Sequence, residues 1–197
     1  MTSVALRPAT PADSEFCYQL HKAAMGDYVT AIWGWDEQVQ RDFHARAFNP
    51  DRWQIITANG VDAGMIDVEY RPGEIYLARI EIHPSYQGRG IGTRLVSALA
   101  AEARQKGYDL VLEVLAVNHR AQALYRRLGL TEVARHGDGN IKITMRLTGH
   151  EPGVGRARGA WARGAWAITP WRRCYARRRC QTSQHRGASA AACHRNR

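Results

Sequence analysis

Apolar residues recur along this chain with two different periods, and the switches between them mark out a string of short elements. Val4 to Arg7 reads as a brief extended segment. Thr10-Pro11-Ala12-Asp13 has the features of a helix start: a capping hydroxyl, a proline at the first helical position and an acid in the first turn. Phe16, Leu20, Ala23 and Ala24 carry an inward stripe to about Met25, and a second helical pattern covers 36–48. Between them, Ala31-Ile32-Trp33-Gly34-Trp35 is expected to be an aromatic connection. Trp53 to Ala58 and Val61 to Tyr70 then flank Asn59-Gly60, the dipeptide that favours a tight hairpin. Arg71-Pro72-Gly73 turns the chain into a strand from Ile75 to His83, which Pro84 ends because it has no N–H for a ladder. Ile91 to Lys106 is helical, with Leu95, Val96, Leu99, Ala100 and Ala103 as its stripe and Gly107 as its stop. Asp109 to Val117 is almost continuously apolar, as a buried central strand would be. Asn118 opens a short helix carrying Ala121, Leu124, Tyr125 and Leu128, closed by Gly129. Leu130 to Arg135 and Ile141 to Leu147, around Asp138-Gly139-Asn140, complete the series. The order β-α-α-β-β-β-α-β-α-β-β predicts a mixed-sheet α/β domain.

The glycines of Gln87-Gly88-Arg89-Gly90-Ile91-Gly92 fall between a strand and a helix. A helix N-terminus leaves unpaired N–H groups and partial positive charge, which a phosphate satisfies. Gly90 and Gly92 would let a diphosphate approach the backbone, and Arg89 could add a charge-assisted contact. A tight strand–helix connection without a ligand would use the same glycines. The spacing breaks the dinucleotide fingerprint, and no Lys-Ser or Lys-Thr follows as a P-loop requires.

Gln87-x-x-Gly90-x-Gly92, after Ile82-His83-Pro84 and before an amphipathic helix, resembles the coenzyme A loop of the GCN5-related N-acetyltransferase (GNAT) superfamily. Leu112-Glu113-Val114-Leu115-Ala116-Val117-Asn118, followed by Ala121-x-x-x-Tyr125-x-x-x-Gly129-Leu130, is similar to that family's strand, Asn and Tyr-bearing helix. The likeness covers roughly residues 4–147. It implies a GNAT-like mixed, mostly antiparallel central sheet, splayed at a V-shaped gap between the strand ending at His83 and the strand from Asp109, with helices on both faces. Acetyl-CoA would be the co-substrate, with no metal. Its pantetheine arm would bond the backbone around Glu81, Ile82 and His83, and its diphosphate would rest on Gln87, Gly88, Arg89, Gly90, Ile91, Gly92 and Thr93, with Asn118 near the pantetheine.

The reaction so implied is direct transfer of an acetyl group to a primary amine in a ternary complex. A carboxylate would take the amine's proton, and Glu81 and Glu113 are the two candidates, Glu113 slightly ahead on the resemblance. A salt-bridged strand residue would look the same in sequence. Tyr125 would protonate the departing thiolate, unless it is only a core aromatic beside Leu124 and Leu128. A backbone N–H near Ile82 would hold the oxyanion. Tyr28, Trp33 and Trp35, beside Asp36 and Glu37, are candidates for the acceptor site, since aromatics suit a cationic amine. The same tryptophans could simply cap the core. The acceptor is then a small-molecule amine or a peptide N-terminus, and a homodimer is left open. An acyl-CoA sensor without turnover is the alternative.

The net charge of +10 does not belong to this domain. Residues 1–148 hold 17 basic and 17 acidic side chains, whereas 149–197 hold 11 arginines against Glu151 alone. The expected organisation is an N-acetyltransferase domain over 1–148 and an Arg/Ala/Gly-rich tail over 149–197, with too few large apolar residues for a core and therefore expected to be disordered. Arg with interleaved Trp would suit nucleic acid if the tail is genuine; an altered reading frame in GC-rich DNA would give the same composition. Cys17 stands alone in the domain and reads as a small buried hydrophobe. No run of residues is apolar enough to span a membrane, and the N-terminus lacks a secretory pattern, so a cytoplasmic location is expected.

Overall fold

The computed structural model describes residues 2–149, so the expectations for the tail lie outside the described residues. The predicted element order is observed: β1 Val4–Pro8, α1 Ser14–Trp33, α2 Glu37–Ala47, β2 Gln54–Ala58, β3 Val61–Arg71, β4 Glu74–Ile82, α3 Ile91–Lys106, β5 Asp109–Leu115, α4 His119–Arg127, β6 Thr131–His136 and β7 Lys142–Leu147. The segment Trp35–Ala47, which contains α2, does not belong to the compact unit that holds the remaining described residues. Within that segment the Asp36 carboxylate accepts the Val39 N–H at 3.0 Å, which starts the helix.

The expected break after Met25 does not occur. Helix α1 continues to Trp33, and the expected aromatic connection shrinks to Gly34–Asp36. Gly26 inside a helix costs about 1 kcal/mol relative to Ala. Burying Val29, which is 1% exposed, returns about as much or more. At the other end, the Asp13 carboxylate accepts the Thr10 N–H at 2.7 Å and its hydroxyl at 2.9 Å, while Arg7 grips the same carboxylate.

The seven strands form one sheet in the order β1-β2-β3-β4-β5-β7-β6. All neighbours are antiparallel except β4 and β5. Strand alternation sends side chains to two separate cores. Ile55 and Met65, which are register partners, pack with Cys17 and Leu20 of α1. Their neighbours Ile56 and Ile66 pack instead with Val96 and Ala100 of α3 and Tyr125 of α4. The helices of this unit therefore cover both faces of the sheet.

Two irregularities shape the middle of the sheet. Parallel pairing of β4 and β5 runs only from Glu74↔Asp109 to Leu77↔Leu112, after which the strands part. On its other side β4 carries an extra residue, because Asp67 pairs with Arg79 but Val68 with Leu77, leaving Ala78 as a bulge. The sheet thus opens between the last residues of β4 and the end of β5, the gap expected from the sequence. Gly64 of β3 permits a close approach here, since a Cβ on it would lie 2.5 Å from the Glu81 carbonyl oxygen.

Candidate active site

A cleft of about 390 Å3 opens where β4 and β5 part. Its walls come from the last residues of β4, the glycine loop and the first turn of α3, the start and face of α4, and Ala24, Met25 and Tyr28 of α1. Each contributor has a local reason for being there.

The loop is shaped by left-handed backbone at Gly88 (φ 76°) and Gly90 (φ 78°), a region that costs other residues roughly 1–2 kcal/mol. Gly90 is the N-cap of α3, and the helix's first bond runs from Arg94 N–H to Gly90 C=O at 2.9 Å. The amides before Arg94 consequently have no partner within the helix and face the cleft as donors. Gln87 fixes the loop from both sides. Its Nε2 donates to the Ile82 carbonyl at 2.9 Å, and its Oε1 accepts from Arg120 Nη1 at 2.8 Å.

The open edge of β4 offers main-chain groups in alternation. His83 N–H donates to Ala63 C=O at 2.8 Å, and the Glu81 carbonyl lies against Gly64, so both residues spend their main-chain groups on β3. The main-chain groups of Ile80 and the N–H of Ile82 therefore turn to the gap, the Ile82 carbonyl being taken by Gln87. Opposite, Asn118 accepts the Ala121 N–H at 3.0 Å as the N-cap of α4 and also lines the cleft. Gln122 ties α4 to the end of β5 through the Leu115 and Ala116 carbonyls, at 3.2 and 2.8 Å.

Two of the ionisable side chains that line this space are deeply buried. Tyr125 is 7% exposed, and burial pushes its hydroxyl up to about 12, so it stays protonated. Among the described residues, no side chain hydrogen-bonds that hydroxyl. Glu81 is likewise 7% exposed. Burial favours its neutral form, but His21 and Arg79 outweigh burial and hold it at about 2. Arg79 Nη1 donates to Glu81 Oε1 at 2.7 Å, and His21 Nδ1 lies 3.0 and 3.1 Å from the two carboxylate oxygens.

The structure brings most of the expected residues to one place. Glu81, Ile82, Tyr125 and Asn118 line the cleft, as do Gln87, Gly88, Gly90, Ile91, Gly92 and Thr93, with Tyr28 on the α1 side. Others lie elsewhere. Glu113 is outside the lining: its carboxylate leans toward the β6–β7 side, 3.1 Å from His136 Nε2 and 3.4 Å from Lys142 Nζ. Arg89 turns away from the cleft to donate to the Ser85 carbonyl at 2.8 Å and to cover the Tyr86 ring, so Arg120 and Arg127 are the arginines on the wall. His83 stands outside the wall, with its Nδ1 accepting the Ser85 N–H at 3.3 Å. Trp33 ends α1 away from the lining. Trp35 belongs to the other unit, where its indole N–H donates to Glu37 at 3.0 Å.

Sequence reasoning passed over His21, Arg79, Tyr86, Arg120 and Arg127. Two of these carried a signal: His21 is one turn past the inward-facing Cys17, and Arg79 shares strand parity with Glu81. Cys17 is fully buried, and burial, with smaller help from Asp13 and Glu81, pushes its thiol up to about 12. Among the described residues, no group of three or more His, Cys, Asp or Glu side chains gathers to hold a metal ion. No helix among them is long and apolar enough to cross a membrane.

Comparison with known proteins agrees with this geometry. The acetyltransferase (GNAT) family profile matches residues 15–130, more than half of the chain. The chain is 28% identical over 143 residues to the L-amino acid N-acyltransferase MnaT of Escherichia coli K12, covering 67% of this chain and 82% of MnaT. It is 42% identical over 60 residues to thialysine N-epsilon-acetyltransferase of Bos taurus, a match that spans 30% of this chain and only 35% of that enzyme. In fold it is similar to the PaiA N-acetyltransferase of Thermoplasma acidophilum, solved in complex with coenzyme A, with a TM-score of 0.60 at 15% identity. That superposition covers 74% of this chain and 99% of PaiA.

Proposed function

Because the chain belongs to the acetyltransferase (GNAT) family, and is therefore an acyltransferase that uses an acyl-CoA donor, we propose that it moves an acetyl group from acetyl-CoA to a primary amine by direct attack in a ternary complex. The observation that carries this reading is the convergence, in one cleft, of the loop amides before Arg94, the open edge of β4 and the Tyr125 hydroxyl.

The donor's diphosphate would rest on the amides from Gly88 to Thr93, with Arg120 and Arg127 adding positive charge to that wall. Its pantetheine arm would lie along β4 and bond the main-chain groups of Ile80, with Asn118 across the gap. The thioester carbonyl would then meet the Ile82 N–H, which stabilises the oxyanion as it forms. Tyr125 donates to the sulfur as the C–S bond breaks. Glu81 accepts the proton that the attacking amine must lose. The reading of Glu81 over Glu113 is supported by the ion pairs of Glu113 with His136 and Lys142 and by the position of Glu81 on the cleft wall. Cys17 takes no covalent part, because a buried thiol at about 12 supplies almost no thiolate.

Tyr28 and Met25 bound the acceptor side and favour an amine with an apolar body. MnaT and the thialysine enzyme, by their names, act on an amino acid and on a side-chain amine, which supports a primary amine as acceptor here. The test is release of free thiol from acetyl-CoA across a panel of amino acids, diamines and short peptides. At least one acceptor should drive release above the hydrolytic background. Calorimetry showing that the folded protein ignores both acetyl-CoA and CoA would overturn the proposal. Donor binding without turnover of any acceptor would mark a sensor instead.

A further inference from the structure

Beyond Leu77, β4 keeps β3 on one side and has no strand on the other, since its pairing with β5 ends at Leu112. A strand end held from one side only can twist, yet the Ile82 N–H has to sit where the oxyanion forms. Two side chains supply the missing link. The turn at Pro84–Tyr86, in which the Tyr86 N–H donates to the His83 carbonyl at 2.8 Å, folds the chain back and brings Gln87 beside Ile82. Gln87 Nε2 donates to the Ile82 carbonyl at 2.9 Å, and its Oε1 accepts from Arg120 Nη1 at 2.8 Å. The orientation of the Gln87 amide follows from its partners, because a carbonyl can only accept and a guanidinium can only donate.

Resting on the acetyl-transfer reading above, we propose that Arg120 and Gln87 are positioning residues that couple the donor's phosphate end to the reaction centre: an anion on the glycine loop fixes Arg120, which through Gln87 fixes the Ile82 peptide. Arg120 stands where such coupling has to start. It lines the cleft, and its Nη2 comes 3.7 Å from the place a Cβ would take on Gly88. Its Nη1 is spent on Gln87, and among the described residues no carboxylate pairs with it, which leaves its outer N–H groups for a phosphate. Arg7, Arg52, Arg71 and Arg146, by contrast, close on carboxylates. Binding energy from a remote part of a substrate is used in this way to hold the reacting groups in place.

Both ends of this bridge are anchored. Arg120 lies in the first turn of α4, which the Asn118 cap and the bonds from Gln122 to the Leu115 and Ala116 carbonyls tie to the end of β5. At the other end the His83 N–H donates to the Ala63 carbonyl at 2.8 Å, so the peptide between Ile82 and His83 is gripped by β3 through its N–H and by Gln87 through its carbonyl. Two side chains thus rejoin, across the gap, the two strands that have lost their ladder. The neighbouring arginines cannot replace Arg120 in this. Arg89 is taken by the Ser85 carbonyl and the Tyr86 ring, and no hydrogen bond links Arg127 to the loop among the described residues.

The test compares acetyl-CoA with S-acetylpantetheine, which lacks the diphosphate and the nucleotide. Gln87→Met and Arg120→Met each cut the bridge at one link with an unbranched apolar side chain; Gln87 is half-buried and Arg120 exposed, so both variants should fold. With an acceptor found, the truncated donor should cost the wild type ~10- to 100-fold in kcat, beyond any rise in KM, since a misplacement of about 1 Å can cost as much. In either variant kcat with acetyl-CoA should fall to the level of the truncated donor, and the two donors should then differ mainly in KM. A wild-type kcat indifferent to the truncation, or variants that keep the wild-type ratio of the two donors, overturns the proposal. A second readout needs no acceptor: ADP, a nucleoside diphosphate without the pantetheine arm, is titrated into isotope-labelled full-length protein and followed by NMR. In the wild type the backbone amide resonances of Ile82 and His83 should move together with those of Gly88 to Gly92, whereas in Gln87→Met only the loop resonances should move. Ile82 and His83 resonances that stay still in the wild type while the loop responds, or that move equally in the variant, sink the proposal. Loop resonances that ignore both ADP and acetyl-CoA sink the reading of the cleft as a donor site. A wild type that binds acetyl-CoA yet acetylates nothing sinks the acetyl-transfer reading and leaves the resonances to judge the bridge.

Discussion

Replacing Tyr125 by Phe removes one oxygen from a side chain that is 7% exposed, and the size of the effect depends on how that oxygen is held. Burial pushes the hydroxyl up to about 12. A thiol of the coenzyme A kind sits near 8.5, so full proton transfer to the thiolate would be uphill by about 3.5 units, or about 5 kcal/mol. Tyr125 should therefore stabilise the leaving sulfur mainly as a hydrogen-bond donor, with the proton completing its move only as the amine's own proton becomes available. A hydrogen bond to a charged group is worth ~1.5–3 kcal/mol, which corresponds to a loss of roughly 10- to 150-fold in kcat. The ring stays, so stability and acetyl-CoA affinity should change little. The assay is steady-state thiol release as a function of pH, with calorimetry for the donor. The same burial predicts no basic limb from Tyr125 below pH ~11, since the group stays protonated until pH approaches its raised value. A variant within about threefold of wild type in kcat would refute the role given to the hydroxyl. A basic limb near pH 9 that disappears with the hydroxyl would refute the burial argument.

Three further outcomes are expected. Gly64→Ala should cost ~1–3 kcal/mol in urea unfolding, because its Cβ would sit 2.5 Å from the Glu81 carbonyl oxygen and one of two paired backbones must shift. Acetyl transfer should fall with it, and a variant as stable and active as wild type would refute the close approach. The Glu81 carboxyl, held below its usual range by His21 and Arg79, should contribute stability that is fully present at pH values above 4.5. A folded-state value below the unfolded one means that this stability is lost as pH falls from 4.5 toward 2; acid unfolding of Glu81→Gln with an undiminished slope across that window would contradict it. Cys17 should resist iodoacetamide in the native protein and react only on unfolding, as mass spectrometry would reveal; rapid native labelling would contradict its burial.

The element order was legible because glycine and proline punctuate this chain and because its periods are clean. Gly107 stops α3 in the left-handed region, and Asn59-Gly60 makes its hairpin with positive φ at both residues. The end of α1 was not legible, since Gly26-Asp27 imitates a stop that only the burial of Val29 overrides. The phosphate-side wall was half legible. Its glycines lie in one local motif, but the arginine beside Gly88 comes from α4, 32 residues further along, and no local pattern announces it. Arg89, inside the motif, is instead drawn off by Tyr86 and the Ser85 carbonyl.

The choice between the two glutamates shows why side-chain chemistry needs register. Ile75 and Leu77 both pack toward α3, so counting by twos from them would send Glu81 into the same apolar core, where a carboxylate would have no partner. The bulge at Ala78 breaks that count. Beyond it Ile80 and Ile82 take over the α3 side, and Arg79 and Glu81 turn to the face of Met65 and α1, where His21 waits. The same residue stands where β4 ceases to pair with β5. One inserted residue thus opens the sheet for a donor and swings the carboxylate to the wall of the opening. Glu113, by contrast, lies on β5, which is paired with β7 from Leu110 to Leu115, and its carboxylate stays beside Lys142 and His136. On the proposed mechanism, freedom from a neighbouring strand, more than the identity of the side chain, is what would let Glu81 rather than Glu113 serve the reaction.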